Sequence, residues 1–422
     1  MNIQDLYQIF LHSAGVNTDT RTLAPGQLFV ALKGENFDGN AFALKALEAG
    51  ACAALVNDTV EAEDPRLVKV PDTLAALQEL AAYHRSQLDI PVIGLTGTNG
   101  KTTTKELIRA VLSARYRVTA TEGNLNNDIG VPLSVLKIGA DAQIAVIEMG
   151  ASHPEDLRPL LAVSQPSHGL ITNVGKAHLL GFGSFEGVKH AKGLLYDWLK
   201  EHEGIAFANA DDPVLMEMLW DRGLSFIPYG MEGVTLLPTS PDHPFLRMRW
   251  ADGDALDTRL VGAYNAPNIL SALKLGWFFG VPKADALAAI AAYEPVNKRS
   301  QLVKTQRNTL IVDAYNANPS SMAVALDNLA LSEGRKVALL GDMRELGADS
   351  AAEHSRIVAR LKGLEVCLVG EEFTKAAEGT GIPCFPTSEA LAAWLQEHPL
   401  EGCTILVKGS RGIQMEKVIA SL

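Results

Sequence analysis

The segment Pro91-Val-Ile-Gly-Leu-Thr-Gly-Thr-Asn-Gly-Lys-Thr-Thr-Thr104 limits what this chain can fold into more than any other stretch. Val92, Ile93 and Leu95 form a short apolar run, expected to be a buried parallel strand. The run enters a Gly-rich turn, Gly97-Thr98-Asn99-Gly100. A helix should follow, because Leu107, Ile108, Val111 and Leu112 recur at helical spacing. Strand, turn and helix in that order make a βα unit, which requires a parallel sheet with helices packed on it. Free backbone N–H groups at the helix start, a lysine (Lys101) and a hydroxyl suited to Mg²⁺ (Thr102) together make a cradle for a triphosphate. ATP is therefore the expected ligand, held by Gly97, Thr98, Asn99, Gly100, Lys101, Thr102 and Thr103. Position 95 is Leu where the general P-loop pattern has Gly, so the turn is a compact form.

A chain of 422 residues is long enough for two to four domains, each with its own core. Three regions separate by pattern. Residues 1–88 alternate short strands and helices, with Leu28–Leu32 strand-like and Phe42–Gly50 helical. Residues 89–296 continue the P-loop series through strands at 144–147, 169–172 and 204–208, an antiparallel patch near 225–262, and a helix over 268–279. Residues 297–422 hold strands at 310–312, 337–340, 366–369 and 405–407, each followed by helical sequence, as in a Rossmann-like open sheet. The fold class is α/β in three domains: a small N-terminal α/β domain, a central P-loop domain with a parallel sheet, and a C-terminal Rossmann-like domain.

Several function classes are excluded. No apolar run approaches the length of a membrane span, and the first residues have neither the basic start nor the apolar stretch of a secretory leader. Cys52, Cys367, Cys384 and Cys403 lack CxxC spacing and fit a reducing compartment. The net charge of −12 argues against a nucleic-acid surface, so positive groups must be gathered locally to meet a nucleotide. The expected location is the cytoplasm.

Further segments bear on chemistry. Strand 144–147 ends in Glu148-Met-Gly, which puts a carboxylate at the carboxyl end of a strand neighbouring the P-loop strand. That position suits a Mg²⁺ bridging the β- and γ-phosphates, with Thr102 as co-ligand. Downstream lie Asn173-Val-Gly-Lys-Ala-His178-Leu and His190-Ala-Lys192-Gly. Gly262-Ala-Tyr-Asn265-Ala-Pro-Asn268 opens a helix, and Asn265 reads equally as its N-cap.

The compact Thr-Gly-Thr-Asn-Gly-Lys-Thr-Thr turn, together with these segments, resembles the Mur ligase superfamily, ATP-dependent enzymes that join amino acids or peptides to a carboxylate. The resemblance implies that His178 helps hold a second Mg²⁺ and that Lys192 is carbamylated by CO₂. Carbamylation turns a cation into an anionic group able to support a metal. It also implies that Asn268 faces the adenine, and that Arg299 reaches ATP phosphate when the C-terminal domain closes. Tyr264 stands where the family usually has His.

The third region points to one branch of that family. Asp313-Ala-Tyr315-Asn316-Ala-Asn318-Pro-Ser-Ser-Met322, Gly341-Asp-Met-Arg-Glu-Leu-Gly347 and Leu406-Val-Lys408-Gly-Ser-Arg411-Gly resemble the members that add D-alanyl-D-alanine. Members that add a diamino acid, or glutamate to folate, carry an Ala-His-Thr-Pro or Ala-His-Asn-Pro segment there. By this resemblance Asp313 contacts the ATP ribose, and Tyr315, Asn316 and Asn318 line the dipeptide. Asp19-Thr20-Arg21 and Phe37-Asp38-Gly-Asn40 resemble the uridine-nucleotide domain, although Ser and His are commoner at 20 and 40. Asn124, Asn126 and Asn127 match a loop that approaches substrate and phosphate.

The implied reaction joins D-alanyl-D-alanine to UDP-N-acetylmuramoyl-tripeptide, with ATP as co-substrate and two Mg²⁺. Lys101, His178, Lys192 and Arg299 form the catalytic set, and a monomer is expected. The alternatives are a diamino-acid-adding or folylpolyglutamate-type ligase and, from another class, a nucleotide-gated regulator without ligase activity.

Overall fold

The computed structural model describes residues 2–34, 36–240, 243–295 and 301–422. Its central unit is a six-stranded, wholly parallel sheet in the order 226–229, 205–209, 168–171, 92–96, 144–148, 118–120. The P-loop strand Val92–Thr96 lies inside it, between His168–Ile171 and Ile144–Glu148. Alternate side chains enter different cores. Val92, Ala145 and Ile147 join one apolar cluster, whereas Ile93, Leu95, Ile144 and Val146 join the other. Helices on both faces are what make these strands read as continuous apolar runs.

The helix after the P-loop, Lys101–Ser113, buries Leu107, Ile108, Val111 and Leu112 completely. They pack in one cluster with Ile269, Leu270 and Leu273 of helix Ala266–Phe278. Burying each such side chain stabilises the fold by about 1.5–3 kcal/mol. Four of them therefore anchor the cradle from below. Strands Val234–Leu237, Arg247–Trp250 and Ala255–Asp257 form a small antiparallel sheet. The antiparallel patch expected over 225–262 is thus narrower, because Phe226–Tyr229 pairs in parallel with Ile205–Asn209 as the edge of the central sheet.

The N-terminal region holds four parallel strands in chain order, Val16–Asn17, Leu28–Val30, Ala53–Asn57 and Leu67–Val70. Its helix Thr73–Ser86 adds Leu77, Leu80 and Ala81 to the same apolar cluster as Val131, Val135, Leu157 and Leu161 of the central unit. The C-terminal sheet runs in the order 301–304, 309–313, 403–408, 335–341, 365–369, 384–385. It is parallel except for its first strand, Gln301–Lys304, an antiparallel edge absent from the sequence reading. Among the described residues no helix is long and apolar enough to cross a membrane.

Candidate active site

The carboxyl ends of the parallel strands of both larger sheets open onto one cleft of about 1090 Å³, where open α/β sheets place their ligands. Its central wall carries Thr98, Asn99, Gly100, Lys101, Thr103, Glu148 and His178. Its opposite wall carries Asp313, Tyr315, Asn316, Asn318 and Lys408 from the C-terminal unit.

Two glycines shape the cradle. Gly97 has φ +143°, and a Cβ there would lie 2.0 Å from Thr172 Oγ1. Gly100 has φ +78° at the N-cap of helix Lys101–Ser113, and a Cβ would lie 2.8 Å from Asn268 Oδ1. Only glycine fits both conditions. The turn is laced to the next loop. Thr98 N–H donates to Asn173 O (2.9 Å), Gly175 N–H to Thr98 Oγ1 (2.9 Å) and Thr172 Oγ1 to Asn99 O (2.6 Å). Lys101 Nζ donates to Gly97 O (2.6 Å) and Thr98 O (3.1 Å), so the ammonium is folded over the turn.

Glu148 is 1% exposed. Its Oε1 accepts from Asn126 Nδ2 (2.8 Å) and Thr102 Oγ1 (3.2 Å). Its Oε2 is buried with no hydrogen-bond partner among the described residues. A buried carboxylate oxygen left unpaired is costly, and a divalent cation beside the Thr102 hydroxyl would satisfy it. Among the described residues no three His, Cys, Asp or Glu side chains converge as a ready metal cage. A hydroxyl, one carboxylate and phosphate oxygens fit Mg²⁺, which binds through few protein groups.

Lys192 lies within helix Phe185–Glu201 and is only 2% exposed. Its Nζ donates to Ala151 O (3.2 Å) and sits 5.4 Å from the Phe182 ring centroid. Burial, and after it the charge of Lys101, pushes the amine well below the ordinary lysine value, against a pull from Asp156. A neutral amine is the form that reacts with CO₂. His178 lines the cleft with φ +51°, and its Nδ1 is paired with Glu345.

Asn268 lines the cleft, with its amide tied at both ends. Its Oδ1 accepts from Thr104 Oγ1 (3.0 Å), and its Nδ2 donates to Asn265 Oδ1 (2.9 Å). Asn265 sits at the N-cap of the following helix without a side-chain capping bond, because its amide turns instead to Val261 O. Asn318 caps helix Pro319–Ala330 and also donates from Nδ2 to Asn99 Oδ1 (2.8 Å), joining the two walls. Asp313 accepts from the buried Lys408 Nζ at 2.5 Å.

The residues expected at the uridine substrate divide. Asn124, Asn126 and Asn127 line the cleft. Thr20, Arg21, Asp38 and Asn40 are not part of its lining. Arg21 is exposed and paired with Asp19 (2.6 Å), and Asn40 exchanges hydrogen bonds with Asn57 (2.8 Å each). Arg299 lies outside the described residues. Sequence reading gave no role to Gln78, which lines the cleft, or to Lys408 and Glu345. The last two stand in segments already noted as family-like, and that was their only signal.

Family models match three stretches: Mur ligase family, catalytic domain, over residues 12–85; Mur ligase middle domain over 95–276; and Mur ligase, glutamate ligase domain, over 298–411. The chain belongs to the Mur ligase family. A UDP-N-acetylmuramoyl-tripeptide–D-alanyl-D-alanine ligase of Bacillus subtilis is 34% identical, covering 97% of this chain and 93% of that one. Among solved Mur ligases, a MurF crystal structure from Acinetobacter baumannii superposes with a TM-score of 0.88 at 30% identity, covering 100% of this chain and 98% of that one. MurF from Thermotoga maritima, solved in complex with ADP, has a TM-score of 0.86 at 28% identity, over 98% and 97% of the two chains. The three-domain α/β architecture is that of these Mur ligases.

Proposed function

We propose that the chain is the ATP-dependent ligase that joins D-alanyl-D-alanine to UDP-N-acetylmuramoyl-tripeptide, a step of peptidoglycan precursor synthesis. The observation that carries this reading is the meeting of two motifs across one cleft. The Asp313–Met322 segment faces the P-loop, and Asn318 touches Asn99 directly. ATP and the acceptor-side motif thus share one space.

The terminal carboxylate of the tripeptide attacks the γ-phosphorus of ATP, giving an acyl phosphate and ADP. The free amine of the dipeptide then attacks the acyl carbon. Phosphate leaves with the carboxylate-derived oxygen, and the amine loses its proton as the amide forms. Most of the work is positioning and charge stabilisation. Thr98, Asn99, Gly100 and Thr103 present the turn to the phosphates, and Lys101 swings from the loop carbonyls to the γ-phosphate. Thr102 and Glu148 would hold one Mg²⁺, and His178 with carbamylated Lys192 a second. Bound there, the two ions offset the negative charge of phosphates and carboxylate. Asp313 is assigned to the ribose, Asn268 to the adenine side, Arg299 to phosphate, and Tyr315, Asn316 and Asn318 to the dipeptide. Asn124, Asn126 and Asn127 meet the tripeptide end of the uridine substrate. Thr20, Arg21, Asp38 and Asn40 meet its distant nucleotide end, which explains their place off the cleft.

The corresponding units are residues 1–88 for the uridine substrate, 89–296 for ATP and 297–422 for the dipeptide. We place the protein in the cytoplasm as a monomer, consistent with nucleotide substrates and four free thiols. Phosphate release with ATP, Mg²⁺ and UDP-N-acetylmuramoyl-tripeptide should require D-alanyl-D-alanine. It should not respond to meso-diaminopimelate, lysine or glutamate. Turnover of a shorter peptide substrate with a diamino acid, or of a folate with glutamate, would reassign the branch.

A further inference from the structure

His178 is paired with Glu345, to which the ligase mechanism above gives no role. His178 belongs to the loop after strand His168–Ile171 of the central unit, and Glu345 to the segment after strand Arg335–Gly341 of the C-terminal unit. The Glu345 carboxylate meets His178 Nδ1, and Leu180 N–H donates to Glu345 O (3.2 Å) at the same joint. Both residues hold left-handed backbones, φ +51° and +66°, and only five non-glycine residues among those described do so. Such strain persists where surrounding structure over-determines a position, and here it falls on both partners of one contact.

We propose that Glu345 is a positioning residue, supplied by the C-terminal domain, that fixes the His178 ring with its proton on Nδ1 and leaves Nε2 as the ligating nitrogen. This rests on the reading of His178 as a ligand of the second cation. A carboxylate only accepts, so its partner nitrogen carries the hydrogen and the lone pair lies on the other ring nitrogen. Metal-bound histidines are oriented in this way by an outer carboxylate. Because the carboxylate comes from another domain, the second cation site is complete only when the C-terminal domain is docked. Domain closure and metal capture become one event.

Mn²⁺ is the probe, with unbound ion followed by electron paramagnetic resonance. The full-length protein is measured with a non-hydrolysable ATP analogue and UDP-N-acetylmuramoyl-tripeptide. Wild type should bind two ions. Glu345→Ala should weaken one of them by about tenfold or more, the scale for losing such a partner, and leave the other within about twofold. Glu345→Gln, whose amide oxygen still accepts from Nδ1–H, should recover most of the loss. In ¹⁵N-histidine spectra the His178 signal, assigned by its absence in His178→Ala, should report the Nδ1–H tautomer in wild type and lose that preference in Glu345→Ala. Equal ion affinities and an unchanged tautomer in Glu345→Ala would overturn the inference. A wild type that releases phosphate with the dipeptide but binds one ion would overturn it and leave the ligase reading standing. A wild type with no dipeptide-dependent release would overturn both.

Discussion

The two junctions of the central unit differ in the balance of apolar and polar contact. Toward the N-terminal domain the junction is mainly apolar: Leu77, Leu80 and Ala81 share one continuous cluster with Val131, Val135, Leu157 and Leu161, and the buried His84 and Arg85 add hydrogen bonds to Ile138 O (2.9 Å) and Ser164 O (3.2 Å). Toward the C-terminal domain it is mostly polar. Asn318 reaches Asn99, Lys176 reaches Glu353 (2.9 Å), Lys176 N–H donates to Ser320 Oγ (3.3 Å), and His178 pairs with Glu345. A continuous apolar core cannot be parted without exposing its surface, whereas polar contacts exchange with water at little cost. Relative domain motion is the default unless an interface is large and hydrophobic. The N-terminal domain is thus tied to the central domain through a shared core, whereas the contacts to the C-terminal domain are ones that exchange readily with water.

The largest expected effect tests whether chemistry resides in the fixed half. Lys192→Ala should lower phosphate release by about 10²–10³-fold, using the loss of one preorganised charge-stabilising group as the scale. Binding of an ATP analogue should change by less than about twofold, because the cradle is untouched. Bicarbonate should not restore activity, since no amine remains to carboxylate. A fully active variant would make Lys192 a structural residue.

Leu80→Ala probes the apolar junction itself. Leu80 is fully buried, and its truncation should cost about 2–5 kcal/mol by the cavity rule. In urea unfolding followed by fluorescence, the N-terminal and central transitions should move together. Movement of one alone would show that the cluster is divided and the junction less firm than its continuity implies.

Acid should weaken the central unit. His168 packs against Phe278 and Phe279 at ring distances of 5.5 and 5.1 Å, and burial pushes its imidazole down to about 4. An unfolded histidine titrates near ~6.5, so the unfolded chain takes up the proton first. The stability held by neutral His168 is present above that value and is lost as pH falls from about 6.5 toward 4. With discount for its partial exposure, the loss at pH 5 should be about 1 kcal/mol. Melting of His168→Phe should show a shallower decline between pH 7.5 and 5 than wild type.

The polar junction should register least in stability. Lys176 is partly exposed while Glu353 is buried, and Arg356 also pairs with Glu353 (2.6 Å). Lys176→Ala should therefore cost about 1 kcal/mol or less, yet raise the KM for the dipeptide, because docking is weakened. A melting shift as large as that of Leu80→Ala would refute the contrast between the two junctions.

Much of this was legible beforehand because it is local. The Val92–Thr104 segment sets strand, turn and helix by apolar spacing and by two glycines whose conformations other residues resist. Glu148 could be placed because a strand end fixes its neighbourhood. The short edge strands Gln301–Lys304 and Cys384–Phe385 leave no mark in the sequence, since so few residues carry no period of their own. Phe226–Tyr229 reads as part of the antiparallel patch for a related reason: an edge strand looks the same in sequence whether its neighbour runs parallel or antiparallel.

The sequence by itself determined the α/β class, the glycine turn between strand and helix, and the family, because each is written in contiguous residues whose backbone needs or spacing admit few solutions. Tertiary structure alone decided the partnerships. It buried Lys192 to the point that its amine favours neutrality, left Glu148 Oε2 unsatisfied, and turned Asn126 onto that carboxylate. It also set Glu345 against His178 and Lys408 against Asp313, pairs separated by more than ninety residues of chain. Burial and long-range contact are sums over the packed whole, and no local stretch of sequence carries them.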